Sequence, residues 1–312
     1  MPSKKVFIDG AAGTTGLRIH ERLAAREDIA LLTLSDAERK DPAARARMLN
    51  SCDIAFLCLP DDAAREAVAM IENPDVTVID ASTAHRTSPS FAYGFPELSD
   101  AHRQGVKTCR RIAVPGCHAS GVISLVYPLI KAGILPADAH LAVHSLTGYS
   151  GGGKKMIADY ESEGRDPLLS APRQYGITQA HKHLPEIGYV TGLEVLPAFC
   201  PIVADFYSGM LVTVPLHAKD LNGGIEDIRK VYEKTYTGPV VKYLPDTDEG
   251  GFLSAAAKSG LDSMEISVFG NDDRILLVAR YDNLGKGASG AALQCMNIAI
   301  GADETLGLIL EA

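Results

Sequence analysis

The feature that most constrains this chain is an alternation in its first third, where short, wholly apolar runs are separated by helical segments. Val6-Phe7-Ile8-Asp9 leads into a helix predicted over Thr15 to Ala25 and a second strand over Ala30 to Leu34. Ile54 to Leu59 and Val76 to Asp80 are two further apolar runs, with a helical stretch from Asp62 to Glu72 between them. A strand that is apolar at every position must be covered on both faces, and helices between such strands make the sheet parallel. The expectation is a doubly wound α/β domain.

The pattern changes beyond Cys117. Ser120 to Lys131 reads as a helix, and the strands that follow (Leu141 to Leu146, Met210 to Val214, Met264 to Phe269, Arg274 to Tyr281) alternate more and lack regular intervening helices. An acidic helix is predicted from Gly224 to Lys234. Such a mixture points to an α+β domain with a mixed or antiparallel sheet. The last helix, Ala288 to Ile300, has no evident partner there. Two domains suit a chain of 312 residues.

Gly10-Ala11-Ala12-Gly13-Thr14-Thr15-Gly16 joins the first strand to the first helix. Glycines there allow a tight turn and the close approach of a pyrophosphate, whose charge meets N–H groups at a helix start. The spacing is G-x-x-G-x-x-G, which carries meaning chiefly because it heads a βαβ unit of Rossmann type. The adenosine ribose of such a dinucleotide would lie near the end of the second strand, at Ser35-Asp36-Ala37-Glu38-Arg39-Lys40. Asp36 turned inward would favour the free 2'-hydroxyl of NAD; Ser35 with Arg39 or Lys40 would favour the 2'-phosphate of NADP, the preferred reading.

Pro115 and Gly116 make a turn, and Cys117 falls just before the helix expected near Ser120. Helix N-terminal N–H groups stabilise a thiolate and can also hold an oxyanion. Gln179-Ala180-His181-Lys182-His183-Leu184-Pro185-Glu186 supplies two histidines and a carboxylate for proton transfer. On an extended chain, residues two apart face opposite ways, so only one histidine is expected in the site. No third ligand for a metal accompanies them. Arg86, in Ser82-Thr83-Ala84-His85-Arg86 after a strand end, could grip a phosphate or carboxylate. Ser150, Gly151 and Lys154, in Ser150-Gly151-Gly152-Gly153-Lys154-Lys155, offer N–H groups and a cation for the same purpose.

Composition excludes several classes. A formal net charge of −9 with no Lys/Arg block argues against nucleic acid. No apolar run approaches the ~18 residues that suggest a membrane span. Met1 to Lys5 leave no room for a signal peptide before the first strand, so a cytoplasmic location is expected. The six cysteines form no C-x-x-C pair, which disfavours zinc, and a reducing compartment disfavours disulfides.

Taken in order, the Pro115-Gly116-Cys117 turn, the run His181 to Glu186 and the segment Asp282-Asn283-Leu284-Gly285-Lys286-Gly287-Ala288 resemble the short N-acetyl-gamma-glutamyl-phosphate reductases of arginine biosynthesis, which belong with the aspartate-semialdehyde dehydrogenases. The resemblance spans essentially the whole chain. It implies Cys117 as nucleophile and a histidine of the His181/His183 pair, His181 being preferred, as proton carrier. It places NADP on Gly10, Gly13, Thr14, Thr15 and Gly16, with Ser82 and Asn283 lining the cofactor cleft. It also returns the last helix to the first domain, giving residues 1–117 with 285–312 for the cofactor and 118–284 for catalysis and dimerisation. The implied reaction reduces an acyl phosphate to a semialdehyde with release of phosphate, in a homodimer or homotetramer. Substrate contacts would fall to Arg86, Ser150, Gly151, Lys154, His183 and Glu186. His118 departs from the aromatic residue that many relatives carry there. An aspartate-semialdehyde dehydrogenase, an amino-adipyl phosphate reductase or a non-catalytic dinucleotide sensor are the alternative functions.

Overall fold

A computed structural model describes residues 3–35 and 37–311. The chain divides into two compact units, one running up to Pro96 and including Asp100–Pro115 and Ala288–Leu308, the other holding Glu97–Ser99, Gly116–Gly287 and the residues from Ile309 onward. Cys117 and the segment from Gly285 to Gly287 therefore belong to the second unit, not to the first as the sequence reading has it.

The first unit contains β1 (Lys4–Asp9), α1 (Thr14–Ala24), β2 (Ile29–Leu32), α2 (Pro42–Ser51), β3 (Ile54–Leu57), α3 (Asp61–Ala69), β4 (Thr77–Asp80), β5 (Ala92–Tyr93), α4 (Asp100–Thr108) and β6 (Arg111–Ala113), joined by α9 (Gly290–Ile300) from the far end of the chain. The six strands run in the order β2-β1-β3-β4-β6-β5, and every pairing is parallel. The period of two in each strand explains why the strands are apolar throughout. Val6, Ile8, Ile54, Phe56 and Ile79 point into one core with α1 and α9, whereas Phe7, Ala55, Leu57 and Val78 point into another with Leu49 of α2 and Ala67 of α3. The chain places α9 in the first of these cores through Ala291, Leu293 and Met296, which is why it has no partner in the second sheet. Helix α2 is absent from the sequence reading although its signal is present: Asp41 caps it by accepting from the Ala43 N–H, and Pro42 begins it.

The second unit contains α5 (Cys117–Lys131), β7 (Ala142–Gly148), α6 (Gly153–Glu161), β8 (Arg173–Gln174), α7 (Leu184–Thr191), β9 (Ala198–Ala204), β10 (Met210–His217), α8 (Ile225–Thr235), β11 (Val241–Tyr243), β12 (Met264–Gly270) and β13 (Arg274–Tyr281). Its seven strands follow the order β11-β12-β13-β10-β7-β9-β8. The ladder from β12 to β7 is antiparallel, while β7 with β9 and β11 with β12 are parallel, so the sheet is mixed. Helix α5 packs on β10 and β13 and is buried from His118 to Leu129. Pro128 lies inside it and has no N–H for the Ser124 carbonyl one turn back. The hydroxyl of Tyr236, the residue that caps the C-terminal end of α8, donates to that carbonyl, and Tyr232 donates to the neighbouring Leu125 carbonyl, both at 2.5 Å. The opposite face of the sheet stays partly open: Ala142, His144 and Ala198 are exposed, and Leu211, Thr213 and Pro215 are half-buried.

Among the described residues no helix is long and apolar enough to cross a membrane, and no cluster of side chains is suited to a metal ion.

Candidate active site

In the first unit the glycine turn forms a cradle at the carboxyl end of β1. Gly10 has φ +87°, and a Cβ there would collide with the Cys58 carbonyl of the neighbouring strand connection. At Gly16 a Cβ would lie 2.5 Å from the Gly10 carbonyl oxygen. Only glycine lets these segments approach so closely. Gly13 caps α1 and no side chain does, so the first-turn N–H groups, with Thr14 and Thr15 leading the helix, face the turn. Beside it lies a cleft of about 430 Å³ whose lining includes Gly10, Ala11, Ala12, Leu34, Arg39 and Lys40. Both cations of the predicted ribose segment thus reach one cleft with the glycine turn. Ser35 donates from its hydroxyl to Glu38 at 2.6 Å. Asp36, the residue weighed against it, lies outside the described residues. The buried Arg45 guanidinium reaches Asp9, at the end of β1, at 2.9 Å.

Two other first-unit residues have local partners. Ser82 donates to Asp80 at 2.8 Å, and the same carboxylate oxygen receives His85 Nδ1 at 2.6 Å. Arg86 is buried, with Nε donating to the Val114 carbonyl and Nη2 to that of Ala81. These contacts fix the loop after β4.

In the second unit, Cys117 is the first residue of α5, three positions earlier than the sequence suggests. Gly116 takes the cap position with extended backbone, no side chain caps the helix, and the Ser120 N–H closes the turn on the Gly116 carbonyl. Cys117 is half-buried, whereas Cys52 is buried. The turn is held from two sides. Glu186, buried in the first turn of α7, accepts from the Gly116 N–H at 2.8 Å. Tyr281, at the end of β13, donates its hydroxyl to the Cys117 carbonyl at 2.6 Å and accepts from the Gly121 N–H at 3.1 Å.

The expectation that only one histidine enters the site is corrected. The chain from His181 to His183 is not extended: the Leu184 N–H donates to the His181 carbonyl, and His183 has helical backbone angles at the cap of α7. Both rings therefore turn the same way. Each lies 5.7 Å from the ring of His118, and they are 4.8 Å from one another. Nδ1 of His181 accepts from the His183 N–H at 3.3 Å. Burial and the neighbouring Lys182 hold the His181 imidazole below its ordinary range. It is therefore neutral at physiological pH and able to accept a proton.

His118 is the residue whose role the sequence did not disclose. It lies buried next to the thiol-bearing residue, with Nδ1 against Ser145 Oγ and Nε2 against Tyr175 Oη, both at 2.6 Å. Burial, then His181 and Lys182, depress it to about 3. It acts as a neutral spacer linking β7 to the loop that carries Tyr175. Asn283 and Ser150 are also brought together: Asn283 Nδ2 donates to Ser150 Oγ at 3.0 Å while its Oδ1 accepts from the Gly209 N–H. A Cβ added at Gly151 would lie 3.6 Å from the same amide nitrogen, so the glycine borders this pair, whereas Lys154 is exposed on α6. The last strand-to-helix segment is fixed by buried groups, Asp282 accepting from Leu284 N–H and Lys286 pairing with Glu97 at 2.8 Å.

A family model described as "Semialdehyde dehydrogenase, NAD binding domain" matches residues 5–105, and one described as "Semialdehyde dehydrogenase, dimerisation domain" matches residues 117–283. The chain belongs to the semialdehyde dehydrogenase family. Among curated relatives of the family, the N-acetyl-gamma-glutamyl-phosphate reductase of Burkholderia ambifaria is 47% identical over 95% of this chain and 96% of its own. N-acetyl-gamma-glutamyl-phosphate reductase 2 of Pseudomonas putida is 45% identical over 97% and 98%. The fold of the family is shared with aspartate semialdehyde dehydrogenase II of Vibrio cholerae, solved with ASA, at a TM-score of 0.73 and 17% identity over 96% of this chain and 99% of that one.

Proposed function

We propose that this protein is an N-acetyl-gamma-glutamyl-phosphate reductase of arginine biosynthesis, reducing N-acetyl-L-glutamyl 5-phosphate to the 5-semialdehyde with loss of phosphate. The observation that carries the reading is the partly exposed Cys117 at the start of α5 in a unit that also holds His181, in a chain nearly half identical, end to end, to reductases of that name. The aspartate-semialdehyde alternative rests on fold likeness at 17% identity. A sensor that had lost catalysis would have no use for a nucleophile built with this much support.

Cys117 attacks the acyl carbonyl; the carbon–sulfur bond forms, the carbon–oxygen bond to phosphate breaks, and phosphate leaves with the electron pair. His181, neutral and partly buried, takes up the thiol proton. The first-turn N–H groups of α5 are suited to stabilise the oxygen that becomes negative during attack. NADPH, when bound, supplies the hydride that converts the thioester to the aldehyde level. His181 returns its proton as the carbon–sulfur bond breaks and the semialdehyde departs. A thioester accepts hydride more readily than a carboxylate, which is the reason for the detour through sulfur.

The residues of the first unit fit a dinucleotide: the glycine cradle and the free helix start for the pyrophosphate, Arg39 and Lys40 in the adjoining cleft for a 2'-phosphate. That pair of cations supports NADP over NAD. Ser82 is assigned to the same cofactor, and Asn283, with Ser150 and Gly151, to the reacting end of the site. Arg86, Lys154, His183 and Glu186 complete the proposed anion and substrate contacts, Glu186 by positioning the Gly116 turn. The partly open face of the second sheet supports a homodimer or homotetramer, and six free cysteines suit the cytoplasm.

The test runs the reaction backward. N-acetyl-glutamate semialdehyde, phosphate and NADP should yield NADPH, with kcat/KM well above that for aspartate semialdehyde or amino-adipate semialdehyde, and above that with NAD. Cys117→Ser should keep NADP affinity and lose nearly all turnover. Substantial residual turnover would sink the covalent route.

A further inference from the structure

The loop between β8 and α7 breaks a ladder and then mends it with a side chain. Strand β8 pairs antiparallel with β9, Arg173 opposite Val203 and Gln174 opposite Ile202, and the Tyr175 N–H continues the series by donating to the Pro201 carbonyl at 3.0 Å. Continued in register, residue 177 would face Phe199. Instead the chain bulges outward, leaving Ile177 77% exposed. The position opposite Phe199 is taken by the side-chain amide of Gln179: its Nε2 donates to the Phe199 carbonyl, and its Oε1 accepts from the Phe199 N–H, both at 2.8 Å. The amide thus makes the pair of bonds that a strand residue would make.

This substitution requires an unusual backbone. Gln179 has φ +56° and is the one described residue other than glycine in the left-handed region. Its N–H donates to the Gly176 carbonyl at 2.9 Å, closing the turn. Tyr175 stands just before that turn and His181 just after. The Phe199 ring lies 5.1 Å from the His181 ring and 5.5 Å from that of His118. The backbone of Phe199 therefore anchors the loop while its ring supports both imidazoles.

We propose that Gln179 is a positioning residue for the reaction: its two-bond clamp on Phe199 holds residues 176–178 out of the ladder and thereby sets the turn that brings Tyr175 and His181 together beside His118. The proposal rests on the reading of Cys117 and His181 as the reacting pair. Without the clamp, the extended chain is free to zip on along β9, which would carry His181 away from the site.

Two substitutions separate the clamp from the backbone strain. Gln179→Asn keeps a residue that tolerates the left-handed region but is too short to reach both Phe199 groups; Gln179→Gly removes the strain and the clamp together. Gln179 is exposed, so both chains should fold with little change in Tm. The expected result for each is a kcat lowered about 10- to 100-fold with an unchanged KM for NADP, the range that small misplacement of a reacting group produces. A second readout is the nitrogen NMR titration of His181, whose charged and titrating neighbours are His118, Tyr175, Lys182 and His183. That titration should move toward the ordinary imidazole range as the ring loosens. A kcat within about twofold of the parent in both variants, or a loss of kcat with an unmoved His181 titration, overturns the proposal. His181→Asn in the same assay keeps the two readings distinct. If it retains parent kcat, the role given to His181 fails, while the titration still reports whether the clamp holds the ring.

Discussion

Tyr281→Phe tests how firmly the reactive turn is held. The ring of Tyr281 is fully buried and phenylalanine keeps its packing, so the change removes one hydroxyl. That hydroxyl bonds the Cys117 carbonyl at 2.6 Å and the Gly121 N–H at 3.1 Å, two groups one helical turn apart. Each bond between neutral groups contributes about 0.5 to 1.5 kcal/mol. Carbonyl and N–H can close partly on one another once the hydroxyl is gone, so the expected loss falls in the lower half of the sum, about 1 to 2 kcal/mol. In a folding unit of this size that lowers Tm by about 2 to 8 °C. The closure also rotates the first turn of α5, so kcat should fall about tenfold while KM for NADP holds. Differential scanning calorimetry gives the first number, steady-state kinetics the second, and the iodoacetamide rate at Cys117 reports the thiol itself. Parent values for both Tm and alkylation rate would refute the claim that Tyr281 sets the geometry of the proposed nucleophile.

Acid should destabilise the protein through His118. Its folded value of about 3 lies below the ordinary 6.5, so the unfolded chain binds the proton first as pH falls. Stability is then full above about pH 6.5 and declines below it by up to about 1.4 kcal/mol per pH unit toward pH 3, with His181 acting in the same direction. Urea titrations at several pH values should show a shallower decline for His118→Phe, and an unchanged slope would refute the assignment. Gly10→Ala forces a Cβ toward the Cys58 carbonyl at φ +87° and should weaken NADP binding by about tenfold or more, measured calorimetrically, while leaving alkylation of Cys117 at the parent rate. Unchanged affinity would show that the cradle does not contact the dinucleotide.

The first unit was legible because a fully buried parallel strand must be apolar at each position. Phe7 and Ile8 face opposite cores, so neither could be polar. The glycine turn was legible for a related reason, since Gly10 and Gly16 leave no space for a side chain. The arrangement around Cys117 was much less so. Its start of helix shifted by three residues because Gly116, which has no side chain to announce a cap, takes that role. The pairing of His181 with His183 was misjudged by assuming an extended chain where the backbone turns into α7. His118, Tyr175 and Tyr281 gave no local signal, because their roles arise from hydrogen bonds across 27, 57 and 164 residues of chain. Spacing in a sequence reports periodic structure well and says little about which distant segments will meet.

The long reach of those bonds has a consequence for the protein before it is finished. The residues that shape the Cys117 turn, Glu186 and Tyr281, emerge from the ribosome 69 and 164 positions after it. Until β13 has been synthesised and has joined the sheet, the helix start at Cys117 lacks the Tyr281 contact. The role proposed for Cys117 therefore depends on contacts that form only late in a folding process dominated by long-range contacts, and a nascent or truncated chain should alkylate at Cys117 no faster than at its other cysteines.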